Sequence, residues 1–320
     1  MTEEEIIEQV TASIIKQLRE RENLSVKDAA SATSAKGAGD ERTAKVGQSS
    51  NVSKNITKPM PQNSFADNEK PVNILEEQKA AVTVKDPKDI SVLQQMKKLT
   101  PARVCVGKTG PRLKTSTLLA LRADHAAARD AVMRDVDEKI LEKLSLFSVQ
   151  TLCSSRNEHL TRPDLGRQFS KETLDLIKSK CKQNPKVQVY VADGLSSQAV
   201  DANCADILPA LFDGLKSFGI EPGTPFFVKF GRCPSEDVIS ETLGAEVVCL
   251  LIGERPGLAT ADSMSAYIAY KATVGMSESR RTVVSNIHKG GTPAIEAGAH
   301  IAELIKTILE RKASGVELQR

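Results

Sequence analysis

The sequence predicts an α/β fold, in which a mostly parallel sheet is flanked by helices. Four short apolar runs have the length of strands, at residues 187–191, 226–230, 247–252 and 282–287. Helical periodicity separates the first three runs, and a further helical stretch follows the last one. Every run ends in a loop rich in Gly and charged residues. Apolar strands that alternate with helices are typical of a Rossmann-like sheet covered on both faces.

The first element is an amphipathic helix predicted over residues 1–21. Its apolar residues Ile7, Val10, Ile14 and Leu18 recur at steps of three and four, which places them on one face. A helix of this length is marginal in water on its own, so the apolar stripe needs a surface that buries it. We expect a docking tag for a partner outside the folded body. Packing on the chain's own body is the alternative.

Residues 22–88 are predicted to form a disordered linker. Between positions 23 and 70 there are only seven large apolar residues, and Ser, Ala, Lys, Asn, Gly and Pro dominate the rest. Such a segment cannot offset its loss of conformational entropy by burying apolar surface. The tag helix is therefore expected to sit on a long tether.

A small helical N-terminal domain is predicted over residues 89–165. It begins with a short helix at residues 90–99. A long second helix is expected to start with Thr115 as its cap and to reach Leu144. His125 falls on the apolar face of that helix and is expected to be a core histidine with its hydrogen bonds satisfied.

The α/β domain is predicted over residues 166–320. Helices are expected at residues 198–218 and 235–243, and a last helix at residues 293–311 with Thr292 as its cap. In an open α/β sheet, ligands bind outside the carboxyl ends of the strands. The Gly-rich loops that end the four predicted strands are therefore the expected binding site.

Composition and charge exclude several classes of protein. The 320 residues are 40% hydrophobic and 27% charged, as in ordinary soluble domains. A net charge of +3 is too small to indicate a nucleic acid or an anionic membrane as partner. No apolar run reaches the length of a membrane span, and the acidic start argues against an export signal. The six cysteines lack Cys-x-x-Cys spacing, which favours reduced thiols in the cytoplasm.

Catalytic and metal-binding motifs fail when they are checked residue by residue. Residues 107–109 resemble the end of a phosphate-binding loop, but Ala102 stands where that loop needs its first Gly. Residues 194–198 lack the second Gly of a nucleophile elbow. The four histidines show no metal-ligand spacing. We expect no catalytic residue and no metal site in this chain, and a solvated surface at residues 156–167.

Eight short motifs, taken in their order and spacing, resemble those of a known protein family. The resemblance covers about residues 89–320. The motifs are RVCVGKTGPR (103–112), TLLALRADH (117–125), TRPDLGR (161–167), VADGLS (191–196), GAEVV (244–248), GERPGL (253–258), SNIHKGGTP (285–293) and KASG (312–315). In this order and spacing the chain resembles the small (light) subunits of ethanolamine ammonia-lyase.

The resemblance implies a subunit of an adenosylcobalamin-dependent lyase that converts ethanolamine to acetaldehyde and ammonia by a radical mechanism. It implies that a large subunit carries the substrate site in a barrel, while the small subunit covers the corrin. Carried over by position, the corrin contacts fall on Cys233, Glu254 and Val283. Glu254 is expected to accept hydrogen bonds from corrin amides, and the other two to supply backbone groups and packing. The alternatives are an ion pair between Glu254 and Arg255 and packing roles alone for the other two.

The resemblance also implies partners and a location. The large subunit is expected to contact residues 103–112 and 161–167, because both segments are charged, shaped by Gly and Pro, and outside the sheet. Residues 1–21 are expected to bind a shell protein of a bacterial microcompartment, which places the enzyme in its lumen within the cytoplasm. The motif Asp-x-His-x-x-Gly is absent, so dimethylbenzimidazole is expected to stay on cobalt. A stand-alone enzyme using another site at the same sheet edge, and a non-catalytic scaffold or assembly protein, are the alternatives.

Overall fold

The computed structural model describes residues 80–318. The predicted tag helix at residues 1–21, and the predicted linker up to residue 79, lie outside the described residues. In the described part, no helix has the length and apolar character needed to cross a membrane.

Eight helices and eight strands follow one another along residues 80–318, apart from three short 3-10 turns. The helices are α1 (Ile90–Lys98), α2 (Thr115–Met133), α3 (Glu138–Lys143), α4 (Arg156–Thr161), α5 (Lys171–Lys180), α6 (Ser197–Ser217), α7 (Ser235–Leu243) and α8 (Ala294–Arg311). The strands are β1 (Lys108–Thr109), β2 (Arg112–Leu113), β3 (Phe147–Gln150), β4 (Val187–Ala192), β5 (Phe226–Lys229), β6 (Val247–Gly253), β7 (Met264–Tyr270) and β8 (Thr282–Ile287).

A six-stranded mixed sheet forms the centre of this region, in the order β3-β5-β4-β6-β7-β8. Strands β3, β5, β4 and β6 are parallel to one another, whereas β7 is antiparallel to both β6 and β8. The α/β class with flanking helices is confirmed, and all four predicted strands are present. Because β7 reverses direction once and β8 reverses it again, β8 runs the same way as β6. The carboxyl ends of all four predicted strands therefore lie at one edge of the sheet.

Two strands of the sheet were missing from the prediction. Strand β7 pairs with β6 over its whole length, although its sequence includes Ser265, Ala266 and Ala269. Ser and Ala give little local strand signal, and pairing with an apolar neighbour overrides it. Strand β3 lies within the predicted small helical domain, after the end of its predicted long helix, and it extends the parallel part of the sheet beside β5. Four residues with alternating burial are too short to be recognised in the sequence.

The core lies on both faces of the sheet. Along β4, Val189 and Val191 belong to the layer that packs on α6 and α8, whereas Tyr190 belongs to the layer that packs on α5 and α7. All three side chains are completely buried. A central parallel strand that is covered on both faces has a nearly continuous apolar sequence, and this pattern predicted β4.

The helix predicted to extend from Thr115 to Leu144 is two helices. Helix α2 ends at Met133, Arg134 has extended backbone angles, and α3 begins again after Asp137, whose side chain accepts from the Lys139 N–H. Lys114, not Thr115, occupies the cap position of α2. The prediction of a single seven-turn helix was wrong. The Asp137 side chain caps the first turn of α3 and so stabilises the start of a second helix.

The buried face of α2 also differs from the prediction. It consists of small residues, namely Thr117, Ala120, Ala128 and Ala131. His125 is exposed, so its assignment as a core histidine was wrong. At the other end of the chain, Pro293 rather than Thr292 occupies the cap position of α8.

Candidate functional site

A cavity of about 460 Å³ opens at the carboxyl edge of the sheet. It brings together Cys233 from the loop after β5, Glu254 from the loop after β6 and Val283 from β8. These are the three residues predicted from the resemblance. They come from separate elements, and the fold places them around one space. Their role in binding stays a prediction.

The topology of the sheet explains why the cavity forms here. Strand β4 leads into α6 on one face of the sheet, and β5 leads into α7 on the opposite face. Where neighbouring strands send their helices to opposite faces, a crevice opens between the two loops. Gly194 and Leu195 line it from the β4 side, and Arg232 lines it from the β5 side.

Two glycines let the loops after β4 and β6 touch. A Cβ atom on Gly253 would lie 2.1 Å from the Ser196 carbonyl oxygen, and one on Gly194 would lie 2.3 Å from the Gly253 carbonyl oxygen. Gly194 also has a positive φ of 53°, a conformation that glycine adopts without steric cost. The Leu195 N–H donates to the Gly253 carbonyl oxygen at 3.1 Å. These contacts form the floor of the cavity.

The loop after β5 and the end of strand β8 each contain a residue in the left-handed backbone region. Phe230 has φ of 60° and Asn286 has φ of 62°. Asn tolerates this region, but a bulky residue such as Phe rarely adopts it. Backbone strain of this kind persists where the surrounding structure imposes it, often at ligand sites. Here it turns the chain sharply before Gly231 and Arg232.

Hydrogen bonds fix the Glu254 carboxylate at the mouth of the cavity. Its Oε1 accepts from the Ser265 hydroxyl and, at 3.0 Å, from the Asn286 N–H. Burial by itself raises the pKa of Glu254, but the hydrogen bonds outweigh it, so the pKa lies below its ordinary value. Within residues 80–318, no ion pair joins Glu254 to Arg255, which argues against that alternative. An ionised carboxylate at this place can accept hydrogen bonds from amide N–H groups.

Cys233 and Val283 give the cavity a partly apolar lining. Burial raises the pKa of Cys233 to about 11, so this side chain stays a neutral thiol near pH 7. It lies within hydrogen-bonding reach of Tyr267, whose own pKa burial raises to about 12. Val283 is 45% exposed and stands opposite Tyr267 across β7 and β8. A half-exposed valine beside a neutral tyrosine provides an apolar contact surface.

A buried layer of charged and polar residues supports the cavity from below. Arg156 Nη1 lies 2.9 Å from Asp193 Oδ2, and both side chains are almost inaccessible to solvent. Burial raises the pKa of Asp193 to about 6, against the opposing effects of Arg156 and of the Gly231 N–H. The Arg156 guanidinium also lies over the Phe230 ring, 4.8 Å from its centroid. The prediction of a solvated surface at residues 156–167 was therefore wrong for Arg156, and it was also wrong for His159 and Gly166, which are buried.

A second buried cluster anchors the start of β8. Arg281 lies 2.7 Å from Glu236 and 2.9 Å from Asp237, the first acidic residues of α7. Burial raises the pKa of Glu236 to about 8 and that of Asp237 to about 6. Because Arg281 directly precedes β8, this cluster helps to fix the position of Val283.

A larger cavity, of about 600 Å³, lies elsewhere, between residues 80–83, α1, α2 and Leu258. It contains none of the three predicted site residues. We favour the smaller cavity as the functional site, because convergent polar groups and groups with shifted pKa values line it. Among the described residues, no three His, Cys, Asp or Glu side chains are grouped as metal ligands.

Comparison with known protein families shows the family to which this chain belongs. The family model for the ethanolamine ammonia-lyase light chain (EutC) matches residues 91–319. The chain belongs to this family.

Relatives in the family are similar over most of their length. An ethanolamine ammonia-lyase small subunit of Clostridium tetani is 64% identical over 236 residues, which cover 74% of this chain and 80% of that protein. The small subunit of Clostridium perfringens is 57% identical over 241 residues, covering 75% and 82%. The small subunit of Listeria monocytogenes serovar 1/2a is 52% identical, with the same coverage. The resemblance predicted from the eight motifs is thus confirmed, and the chain is a subunit of a carbon–nitrogen ammonia-lyase.

The residues that support the cavity were not predicted from the sequence. Asp193 carried a signal, since it follows a predicted strand within the motif VADGLS. Arg156, His159 and Tyr267 carried none, because only the folded chain brings them to this edge. Tyr267 lies on the strand that was not predicted.

Proposed function

We propose that this small subunit binds one edge of adenosylcobalamin in the cavity lined by Cys233, Glu254 and Val283. Its partner would be a large subunit that carries the substrate site for a radical conversion of ethanolamine to acetaldehyde and ammonia. One observation carries the proposal. Three residues that the resemblance assigned on three separate segments of the chain line a single cavity.

The lining fits the periphery of a corrin. Corrin side chains end in amides, which need both acceptors and donors, and the ring edge between them is apolar. Glu254 supplies the acceptor, Arg232 supplies a guanidinium donor, and Val283 and Leu195 supply apolar contacts. A volume of about 460 Å³ accommodates a drug-sized group, so only part of the coenzyme would enter.

When bound, adenosylcobalamin would supply the radical chemistry. The residues of this chain bind and orient. Hydrogen bonds from Ser265 and Asn286 keep Glu254 ionised and fixed in direction. The Cys233 thiol and the Tyr267 hydroxyl stay neutral, so they present no competing nucleophile to the coenzyme.

The proposed contact with the large subunit draws support from exposed apolar side chains. Helix α1 contains no buried residue, and Ile90, Val92 and Met96 on it are each close to half exposed. Helix α1 directly precedes residues 103–112, one of the two segments proposed for this contact. Residues 161–167, the other segment, are mostly exposed.

Reconstitution tests the proposed function. Ammonia release from ethanolamine and adenosylcobalamin is measured for this chain, for a large subunit, and for the two together. Activity only in the mixture supports the proposal. Activity of this chain alone would favour the stand-alone enzyme. An inactive mixture in which no complex forms would mean that this edge of the sheet binds something else, and a coenzyme that changes neither stability nor assembly would favour the scaffold.

The proposed binding of residues 1–21 to a microcompartment shell needs its own test. Deleting these residues should leave the activity of the reconstituted enzyme unchanged and abolish co-sedimentation with shells. A deletion variant that keeps only residues 22–320 and still co-sediments normally would refute the tag.

A further inference from the structure

His159 is completely buried beneath the cavity, in a segment that the sequence placed on the surface. Its Nε2 lies 2.9 Å from the carbonyl oxygen of Gly194, the residue at the turn after β4. A carbonyl oxygen only accepts, so Nε2 must carry the hydrogen and donate it. The imidazole therefore holds the turn that forms one lip of the cavity.

The backbone of the same residue holds the opposite lip. Arg232 Nη2 donates to the His159 carbonyl oxygen at 2.6 Å. Arg232 lines the cavity from the loop after β5. One residue of α4 thus contacts both loops of the crevice, through its side chain on the β4 side and its backbone on the β5 side.

Packing fixes the orientation of the imidazole. The ring stacks on Phe230, with centroids 5.7 Å apart and planes inclined by 29°. A Cβ on Gly166 would lie 3.3 Å from His159 Nδ1 and 2.7 Å from Arg232 Cγ. Because Gly166 has no side chain, His159 and Arg232 can both pack closely against it. Burial, followed by the nearby Arg232 charge, lowers the pKa of His159 to about 4, and the ring is neutral near pH 7.

We propose that His159 is a positioning residue of the coenzyme site. Its Nε2–H fixes the Gly194 turn, and its carbonyl oxygen fixes the Arg232 guanidinium beside the cavity. The inference rests on the proposed function, because the affected ligand is adenosylcobalamin. It predicts that His159 determines coenzyme affinity, with little effect on the chemical step.

Two amide substitutions separate positioning from packing. In His159→Gln, the side-chain amide can place an N–H where Nε2 stands. In His159→Asn, the shorter side chain cannot reach Gly194. Both variants remove the ring, so a role in packing alone would affect them alike. His125→Asn is the matched control, because His125 is exposed on α2.

The experiment uses the complex of each variant with the large subunit. Adenosylcobalamin is titrated and followed by visible absorbance, and kcat and the KM for ethanolamine are measured at saturating coenzyme. We expect His159→Asn to raise the Kd for adenosylcobalamin about tenfold, the effect of one lost buried hydrogen bond. His159→Gln and His125→Asn should stay within about twofold of wild type, and kcat and KM should change little.

Several results would overturn the inference. Equal affinity of all variants would show that His159 does not position the site. If His159→Gln and His159→Asn weakened adenosylcobalamin binding equally, the effect would be assigned to packing of the ring. A fall in kcat at saturating coenzyme would likewise assign the effect to packing. Failure of the wild-type complex to bind adenosylcobalamin would overturn the proposed function as well. If the wild-type complex binds the coenzyme and only the variants behave differently from the expectation, the inference about His159 alone fails.

Discussion

Arg156 and Asp193 form a buried ion pair 2.9 Å long that joins α4 to the loop after β4. Asp193 Oδ1 also accepts from the Gly231 N–H at 3.2 Å, so the pair extends to the loop after β5. The supporting layer of the cavity is therefore connected across the crevice by charge as well as by the contacts of His159.

Replacing Arg156 by Met should destabilise the chain in a pH-dependent manner. Removing one partner of a buried pair costs about 3–5 kcal/mol, because the other charge is left without compensation. The pKa of Asp193 is about 6, so Asp193 is ionised at pH 8 and mostly protonated at pH 5. The loss of unfolding free energy in urea should be larger at pH 8 than at pH 5. A loss equal at both pH values would contradict the assignment of Asp193 as the partner.

Replacing Glu254 by Ala should weaken coenzyme binding. The variant removes an acceptor that is ionised near pH 7 and held by two hydrogen bonds. Hydrogen bonds to charged groups contribute about 1.5–3 kcal/mol, which corresponds to roughly ten- to a hundredfold in Kd. Titration of the reconstituted complex with adenosylcobalamin measures the change. Glu303→Ala, at an exposed position of α8, is the control and should bind as wild type does.

Replacing Glu236 by Gln should remove part of the pH dependence of stability. The folded pKa of Glu236 is about 8, above the ordinary value near 4.5. Between these two values the folded state keeps the proton and the unfolded state releases it, so the unfolding free energy falls as pH rises. The contribution of this group is complete below about pH 4 and is lost as pH rises through 8, with a slope of about 1.4 kcal/mol per pH unit.

Urea unfolding at several pH values checks this prediction. The slope between pH 5 and pH 8 should be smaller in Glu236→Gln than in wild type. At pH 7 the variant should lose little stability, because a neutral amide replaces a carboxyl group that is largely protonated. An unchanged slope would mean that Glu236 is already ionised beside Arg281.

The apolar strands and the location of the site could be predicted from the sequence, because both depend on local patterns. Strand β6 is a run of seven residues, all of them buried, and Glu254 follows it directly. The rest depends on long-range contacts. Tyr267 lies on a strand that only its neighbours stabilise, and the burial of His159 and Arg156 results from the packing of α4 under the loops after β4 and β5. The assignment of His125 to the core was wrong because helical periodicity does not reveal that small residues, mostly Ala, form the buried face of α2.

Replacing Gly253 by Ala should disrupt the floor of the cavity. The new Cβ would lie 2.1 Å from the Ser196 carbonyl oxygen and 2.5 Å from that of Asp193, and neither backbone atom can move without shifting the loop after β4. Forcing extra volume into such a close contact costs about 1–3 kcal/mol. Gly257→Ala is the matched control in the same loop, because its Cβ would meet nothing closer than 3.7 Å. Thermal unfolding and the Kd for adenosylcobalamin should both change in Gly253→Ala and stay near wild type in the control. If both variants behaved like wild type, the close contact between these two loops would not support the cavity.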